Sequence, residues 1–244
     1  METDWRVEHA DAAGLLGAGA LPASKDLRET WWKINDQGQT GSCVGWASAD
    51  SVIRWHMVKA RRLGKNDLLS PRFEWMASKE TDNFIAAPTT FIESAGTSLK
   101  SALDVARKFG TVPMNVLPFA SGALFQGETE EFYAIAAQRK IASYFNLDTD
   151  PAAWRQWLAR KGPILVRLDV DSTWDTAGQN NGNMDVYRPE TVRGGHAVAL
   201  VGYTPDRFIV RNSWGVTTWG DKGFGYASIG YATAAFTESY GVSL

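Results

Sequence analysis

The sequence predicts an α+β protein of two lobes, in which helices come first along the chain and strands follow. Helical spacing of apolar residues dominates the first half of the 244 residues. Short apolar runs that are bounded by glycine, proline or aspartate dominate the second half. Helices and strands that are segregated in this way are typical of α+β folds. A functional site is expected at the seam between the two lobes.

Three helices are predicted in the first half. The longest spans residues 43–62, with Ser42 as its N-cap, and it is apolar on most sides, which indicates a buried central helix. A second helix begins at Ser70 and Pro71, since proline is favoured at the first helical position. A third begins at Thr97 or Ser98 and ends at Gly110.

The second half is predicted to be mostly strands with one short helix. Asp150 and Pro151 are the start signals of that helix, which carries Trp154, Trp157 and Leu158. The expected strands are residues 138–145, 163–170, 196–203, 207–212 and 223–229.

Composition and charge exclude several classes of function. The chain carries 25 Lys and Arg against 27 Asp and Glu, a net charge of −2, so we expect no nucleic-acid partner. It contains no run of 18 apolar residues, so we expect no membrane span. The apolar segment 12–23 is short and follows no basic region, so we expect no signal peptide. The compartment, cytoplasmic or secreted by another route, stays open.

The only cysteine, Cys43, lies where small polar residues give way to an apolar run. A thiol at the start of a helix is near the positive end of the helix dipole, which favours the nucleophilic thiolate. The alternative is an inert buried cysteine, which is the common state of a free cysteine. Because Cys43 precedes the apolar run instead of lying inside it, the pattern favours a nucleophile.

A nucleophilic thiol needs a base, and His196 is the candidate among three histidines. It follows two glycines and opens an apolar strand, so its ring can project into a cleft; a hydrogen-bonded core histidine is the alternative. Asn212 ends the next strand, and a hairpin turn over 204–206 brings both residues to the same end, where Asn212 can orient the imidazole. Gln37 and the backbone N–H of Cys43 are candidate donors to an oxyanion.

Three stretches follow one another in this order and are spread over nearly the whole chain: "QGQTGSC" at 37–43, "GGHAVALVGY" at 194–203 and "RNSWGVTTWGDKGFG" at 211–225. Together they resemble the papain family of cysteine peptidases. The resemblance implies a papain-like fold with a helical lobe, an antiparallel β-barrel-like lobe and the active site in the cleft between them.

The resemblance also implies the roles of individual residues. Cys43 is the expected nucleophile, His196 the general base, Asn212 the residue that orients the imidazole, and Gln37 the oxyanion donor. Trp214 is expected to shield the Asn–His bond from water. The implied reaction is peptide hydrolysis in two steps through a thioester, by an endopeptidase that needs no metal or organic cofactor.

The substrate-binding residues implied by the resemblance surround these groups. Gly96 and Thr97 are expected to contact an extended peptide along its edge. Arg167 either faces the pocket, where it would favour acidic substrates, or faces solvent. The complete set is Gly96, Thr97, Ser98, Leu99, Arg167, Gly195, Ala197 and Trp214.

The chain departs from the family pattern at several places. Thr40 stands where many members have a disulfide cysteine, so we expect packing alone to hold this loop. Val44 replaces the usual aromatic residue after the nucleophile, and the glycine-rich substrate segment is reduced to "SAGTS" at 94–98. We do not expect the large helical pro-region of secreted relatives. In this respect the chain resembles compact bacterial members of the family.

The expected organisation is an N-terminal arm or short pro-segment at 1–20, a mainly helical lobe at 21–127 and a mainly β lobe at 128–244. The arm is either an autoinhibitory plug or a disordered tail. We expect a monomer that acts on a polypeptide substrate. Two other functions stay open: an amidase or transpeptidase with one dedicated protein substrate, and a catalytically silent binding module.

Overall fold

The computed structural model describes residues 5–81, 96–120 and 127–244. The contacts divide the chain into two compact units. One combines the described residues up to Asp36 with Tyr144–Val242 and is called the sheet unit; the other, Gln37–Ser143 with the last two residues, is called the helical unit. The predicted α+β class is confirmed, while the predicted domain borders stay predictions.

The central helix of the helical unit begins at Cys43, as the sequence predicts. It consists of α2 (Cys43–Gly45), a wider π-helical segment (Trp46–Ile53) and α3 (Arg54–Lys59). All its residues from 44 to 58 are buried, in agreement with the apolar pattern on most of its sides.

This helix ends three residues earlier than predicted, at Lys59. Arg61 takes a left-handed conformation with φ 58°. The N–H of Arg61 donates to the carbonyl of Val58, and the N–H of Arg62 donates to that of Met57. These paired bonds form a Schellman motif, which satisfies the last carbonyls and stops the helix.

Several buried polar side chains inside the central helix are hydrogen-bonded, which offsets the free-energy cost of removing them from water. Ser48 donates to the carbonyl of Val44 over 2.7 Å. Arg54 pairs with Asp50 at 3.4 Å, and it also donates to the backbone carbonyls of residues 65 and 67. The guanidinium therefore ties the loop that follows the helix back onto it.

The described residues of the helical unit contain three further helices: α4 (Pro71–Thr81), α5 (Leu99–Lys108) and α6 (Thr129–Ala137). The predicted starts of α4 and α5 are confirmed, and the Ser98 side chain caps α5 by accepting from the N–H of Ser101. One buried cluster packs residues of these helices together with the segment after α5: Phe73, Val105, Val112 and Ala136.

Helix α6 was not predicted, and the expected strand 138–145 is shorter than the sequence indicated. That strand, β2 (Ser143–Asn146), begins five residues later. The C-terminal turn of α6 occupies the intervening residues, because the N–H of Arg139 donates to the carbonyl of Ala136. Local apolar spacing did not separate this helix end from a strand start.

The sheet unit contains one eight-stranded sheet within the described residues. Helix α7 (Pro151–Arg160) precedes its central strands, with Asp150 as N-cap as predicted. The strands are β1 (Lys25–Asp26), β2, β3 (Ile164–Val170), β4 (Asn183–Met184), β5 (Gly194–Tyr203), β6 (Arg207–Arg211), β7 (Phe224–Ser228) and β8 (Phe236–Ser243).

The strand order is β2-β8-β3-β5-β6-β7-β4, with β1 added to β5. Strand β3 pairs antiparallel with β5 and β8, and β5, β6 and β7 form an antiparallel meander. Strand β4 is parallel to β7. The expected barrel-like lobe is corrected in one respect: within the described residues the sheet is open, with β2 and β4 at its ends.

The C-terminal segment was missed by the sequence analysis. Helix α8 (Ile229–Ala235) starts at Ser228, whose side chain accepts from the N–H of Tyr231. Strand β8 then lies between β2 and β3. Its polar residues hide the strand pattern, and only its pairing with β3 gives it a place inside the sheet.

Residues 5–20 are ordered against the sheet unit. Helix α1 (Val7–Ala12) buries Ala10, and Leu16 is also buried. The N–H of Asn146 donates to the carbonyl of Trp5, and Arg160 donates to the carbonyl of Gly19. These contacts do not fit a disordered tail over this stretch; residues 1–4 lie outside the described part of the chain.

Candidate active site

The helical unit presents Cys43 at the first residue of its central helix, where it is half-buried. Ser42 is the N-cap, although its hydroxyl makes no cap hydrogen bond to the helix. Gln37 lies in the loop before it, is 6 % exposed, and donates through Nε2 to the carbonyl oxygen of Thr40 over 2.9 Å. This bond fixes the side-chain amide of Gln37 in the loop that leads to Cys43.

Hydrogen bonds, and not packing alone, hold the loop before Cys43. The hydroxyl of Thr40 donates to the carbonyl oxygen of Gln37 at 2.8 Å and lies 2.6 Å from the hydroxyl of Ser42. With the bond from the Gln37 amide, Thr40 therefore closes both sides of a short turn. The residue that stands in place of the family's cysteine is the hydrogen-bonded centre of this loop.

Replacing Thr40 with valine is expected to lower the free energy of unfolding by about 1–2 kcal/mol, because the shape is kept while the hydrogen bonds of the hydroxyl are lost. Urea denaturation measures the change. Thr40→Ser is the matched control, since it keeps the hydroxyl. Equal stability of the valine variant and the wild type would contradict this role of Thr40.

The sheet unit brings His196 and Asn212 together. His196 lies near the start of β5, and Asn212 directly follows β6. A turn at Thr204 joins the strands, whose pairing aligns Ala199 with Arg211. The side chains of His196 and Asn212 then meet at one end of the hairpin, with 2.7 Å between Nε2 and Oδ1.

The direction of this hydrogen bond follows from the partners of Asn212. Its Oδ1 also accepts from the backbone N–H of Ser213 at 2.8 Å, which identifies that atom as the acceptor. His196 must therefore donate from Nε2, and the neutral ring carries its lone pair on Nδ1. Nδ1 is the nitrogen that can take up a proton.

Burial governs the charge of His196. The residue is 5 % exposed, and this loss of hydration lowers its pKa to about 4, although the hydrogen bond with Asn212 acts in the opposite direction. Within the sheet unit the imidazole is therefore neutral near pH 7, as a general base must be before it accepts a proton.

Tryptophan rings enclose the imidazole. The Trp214 ring lies 4.8 Å from that of His196 with 35° between the planes, which agrees with the shielding position expected for this residue. Trp174 meets His196 edge-on at 5.5 Å and stacks on Trp219 at 4.6 Å. This aromatic wall limits the access of water to the Asn–His hydrogen bond.

Trp174 was missed by the sequence analysis. It lies in a short 3₁₀ helix (Ser172–Thr176) after β3, far along the chain from His196 and outside every matching motif. The total of eleven tryptophans indicated an aromatic interior or groove, but no local pattern assigned this one to the histidine.

The expected substrate residues of the helical unit lie near the Cys43 loop or beneath the surface. Gly96 is exposed, and a Cβ there would be 3.8 Å from the carbonyl oxygen of Gly41. Thr97 and Ser98 are half-buried, whereas Leu99 is 1 % exposed and packs in the core. Ser94 and Ala95 of the "SAGTS" segment lie outside the described residues.

Arg167 of the sheet unit lies over the next strand. It pairs with Asp169 at 3.2 Å, and its side chain is 41 % exposed. Gly195 leaves room for the guanidinium, because a Cβ there would be 2.6 Å from Nη2 of Arg167. Ala197, the cross-strand partner of Arg167, is buried. A role of these residues in substrate binding stays a prediction.

A cavity of about 450 Å³ opens on the helical unit at the end of α3. Its rim is basic, and none of the expected site residues line it. The residues are Val58, Arg61, Arg62, Leu63, Gly64, Lys65, Asp67 and Arg139. The chemistry expected of Cys43 therefore does not involve this cavity.

The described part of the chain lacks two kinds of feature. No group of three or more His, Cys, Asp and Glu side chains there is arranged to hold a metal ion. In residues 5–81, 96–120 and 127–244, no helix combines the length and apolar character that crossing a membrane requires.

Solved structures with the same fold include two cysteine proteases. Xylellain, a cysteine protease from Xylella fastidiosa, superposes with a TM-score of 0.76 at 23 % identity, over 94 % of this chain and 88 % of that one. The cysteine protease CMS1MS2 of Carica candamarcensis gives a TM-score of 0.65 at 20 % identity, over 91 % and 99 % of the two chains. These likenesses confirm the papain-like fold predicted from the sequence.

Sequence relatives point the same way. The chain is 27 % identical to cathepsin K of Mus musculus over 84 % of its own length and 59 % of the relative, and 28 % identical to cathepsin K of Gallus gallus over 83 % and 57 %. It thus spans less than two thirds of the length of these relatives. The family model "Papain family cysteine protease" matches residues 21–240. Since this match takes in most of the sequence, the chain belongs to the papain family of cysteine proteases.

Proposed function

We propose that this chain is a thiol-dependent endopeptidase, which hydrolyses peptide bonds through a covalent thioester on Cys43. The observation that carries the proposal is the 2.7 Å hydrogen bond between His196 and Asn212, which leaves Nδ1 of the imidazole free to exchange a proton. Membership of a family named for cysteine proteases supports it. The position of the single thiol at the start of a buried helix supports it further.

In the proposed reaction the Cys43 thiolate attacks the carbonyl carbon of the scissile peptide bond. The side-chain amide of Gln37 and the backbone N–H of Cys43 stabilise the oxyanion. The C–N bond breaks as His196 gives the proton on Nδ1 to the departing amine. A water molecule then attacks the thioester while His196 accepts its proton, and the acid product leaves with the thiol restored.

The charge state of His196 gives this mechanism a signature. Without a thiolate partner, burial lowers the pKa of the imidazole to about 4, against the opposing effect of the hydrogen bond with Asn212. A thiolate partner favours the imidazolium and raises that pKa, so the two charges appear together. The nucleophilicity of Cys43 should then depend on the presence of His196. The reactivity of an ordinary thiol would show no such dependence.

We also propose which residues contact the peptide substrate. An extended peptide is proposed to run along Gly96 and Thr97, beside the loop of Cys43, with main-chain hydrogen bonds as in strand addition. Ser98, Leu99, Gly195, Ala197 and Trp214 are proposed to shape the pocket. The ion pair with Asp169 offsets the charge of Arg167, which favours its interpretation as an exposed strand residue over an acidic-substrate pocket.

Residues 5–20 are proposed as a regulatory arm. Their order against the sheet unit and the name of the solved procathepsin L 3 of Tenebrio molitor, a pro-form, support an inhibitory segment over a tail. An amidase or transpeptidase with one dedicated substrate would use the same residues. Retention of Cys43, His196, Asn212 and Gln37 disfavours a silent binding module.

Alkylation of the thiol by iodoacetamide tests the proposed function. We expect stoichiometric labelling of Cys43 near pH 6, where ordinary thiols react slowly, because an imidazolium stabilises the thiolate. His196→Ala is expected to lower the second-order labelling rate by about 100-fold.

The matched control is His56→Phe, which removes a buried imidazole of α3 in the helical unit and should leave the labelling rate unchanged. A wild-type rate equal to that of a small free thiol would contradict the proposal. Rapid labelling without cleavage of any general peptide would favour the dedicated-substrate alternative.

A further inference from the structure

A buried line of hydrogen bonds runs from the aromatic wall around His196 to a carboxylate. Nε1 of Trp174 donates to the hydroxyl of Tyr231 over 3.0 Å, and that hydroxyl donates to Oδ1 of Asp171 over 2.7 Å. Trp174 and Tyr231 are each 1 % exposed, and Asp171 is fully buried. The direction is unambiguous, because an indole N–H can only donate and a carboxylate can only accept.

Asp171 is itself anchored by the backbone. It follows the last residue of β3, and its Oδ2 accepts from the N–H of Arg188 at 2.8 Å and from the hydroxyl of Thr173 at 2.9 Å. Burial and the hydrogen bond to Asp171 raise the pKa of Tyr231, so its hydroxyl keeps the proton that it donates. The line therefore has one stationary end, at the rim of the sheet.

The other end of the line is a ring that contacts three others. Trp174 lies 5.5 Å from His196, 5.3 Å from Trp214 and 4.6 Å from Trp219, measured between ring centroids. A rotation of the indole would break its bond to Tyr231 and open space beside the imidazole. The hydrogen bond thus selects one orientation of Trp174, and this orientation supports one of His196.

We infer that Asp171 and Tyr231 are positioning residues, which hold Trp174 and through its ring the imidazole of His196 in the orientation for proton transfer. The inference rests on the proposed function of His196. A general base must lie within about 0.5 Å of its productive position, and a displacement of about 1 Å lowers the rate on the order of 100-fold. A hydrogen-bond line that serves stability alone would leave the chemistry of His196 untouched when it is cut.

Tyr231→Phe cuts the line by removing one oxygen atom from the full-length chain. We expect kcat on a fluorogenic peptide to fall by about tenfold with KM unchanged, because orientation and not substrate binding is lost. In the Cys43→Ala background, where no thiolate acts on the ring, the imidazole resonances of His196 followed by NMR against pH should show its pKa rising from about 4 towards the ordinary value, since looser packing admits water.

Tyr226→Phe is the matched control. Tyr226 lies in the same unit and donates to Oδ2 of Asp221 at 2.8 Å, whereas the ring contacts and the hydrogen bond of His196 are made with Trp174, Trp214 and Asn212. Its loss is expected to lower stability and to leave kcat and the titration of His196 unchanged. The comparison separates a general loss of packing from a loss of orientation.

Trp174→Phe is the second variant. It keeps a six-membered aromatic ring beside His196 and removes the five-membered ring with the N–H that donates to Tyr231. The same upward shift of the His196 pKa is expected. Wild-type kcat and an unmoved titration in both variants would overturn the inference. The NMR measurement needs no catalysis. If the His196 pKa shifts although the chain with Cys43 cleaves no peptide, the positioning role is supported and only the proposed function is contradicted.

Discussion

Peptide hydrolysis by the Cys43→Ala variant is expected to fall by about four orders of magnitude or more. The chain has one cysteine, so no other thiol can form the thioester. The Gln37 amide and the binding surface remain in the variant, but without the nucleophile they stabilise no covalent intermediate. The value of kcat/KM on a panel of fluorogenic peptides measures the loss.

The fold of this variant should be intact. Cys43 is half-buried at the first residue of its helix, where alanine is well tolerated. Cys43→Ser is the matched control for the thiol, since it keeps the side-chain shape but is not ionised near pH 7. Both variants should unfold at the urea concentration of the wild type, and peptide cleavage by either at the wild-type rate would refute a nucleophilic role of Cys43.

The second large effect concerns the stability of the helical unit and depends on pH. Glu74 of α4 is fully buried. Within the described residues neither carboxylate oxygen accepts a hydrogen bond of good geometry. Burial raises its pKa to about 8, and the neighbouring Thr111 hydroxyl offsets this only in part. The folded protein therefore holds Glu74 protonated at neutral pH.

The sign of the pH dependence follows from linkage. Between the unfolded pKa of 4.5 and the folded pKa of about 8, the folded state binds one more proton than the unfolded state. Stability must then decrease as pH rises through this window. The decrease attributable to Glu74 is about 3 kcal/mol between pH 5 and pH 7.5, from a pKa difference converted at 1.36 kcal/mol per unit.

Glu74→Gln isolates this contribution, because glutamine has nearly the same shape and no titration. We expect the stability of the variant relative to the wild type to grow by about 3 kcal/mol from pH 5 to pH 7.5. Urea denaturation at a series of pH values measures it. The comparison also cancels the contribution of His196 to the pH dependence of stability, because this residue is the same in both proteins.

Glu80→Gln is the matched control on the same helix, since Glu80 is exposed. It should leave the pH dependence of the wild type unchanged. A stability difference between Glu74→Gln and the wild type that stays constant across the pH range would show that the carboxyl is not protonated by burial.

Local signals predicted the starts of four helices well. Ser42, Pro71, Ser98 and Asp150 each begin a helix in the structure as they do in the sequence pattern. Capping and proline rules depend on atoms only a few residues apart, so they can be applied before the fold is known. The ends were predicted less well, because Arg61 adopts a left-handed conformation that is usual for glycine.

The pairing of His196 with Asn212 could be predicted only in part from the sequence. The sequence indicated a hairpin, and the hairpin brings the two side chains within 2.7 Å. The depth of their burial could not be derived in this way. It depends on Trp214 and on Trp174, which reach the imidazole from other segments of the chain.

The sequence by itself determined the α+β class, the helix that begins at Cys43, the strands around the histidine and the family. These follow from periodicity, caps and motif order, which are local or ordered along the chain. Only the tertiary structure decided that β8 enters the sheet, that Glu74 is fully buried, and that Tyr231 joins Trp174 to the carboxylate of Asp171, 60 residues before Tyr231. Such contacts depend on packing between distant segments, and no spacing within either segment encodes its partner.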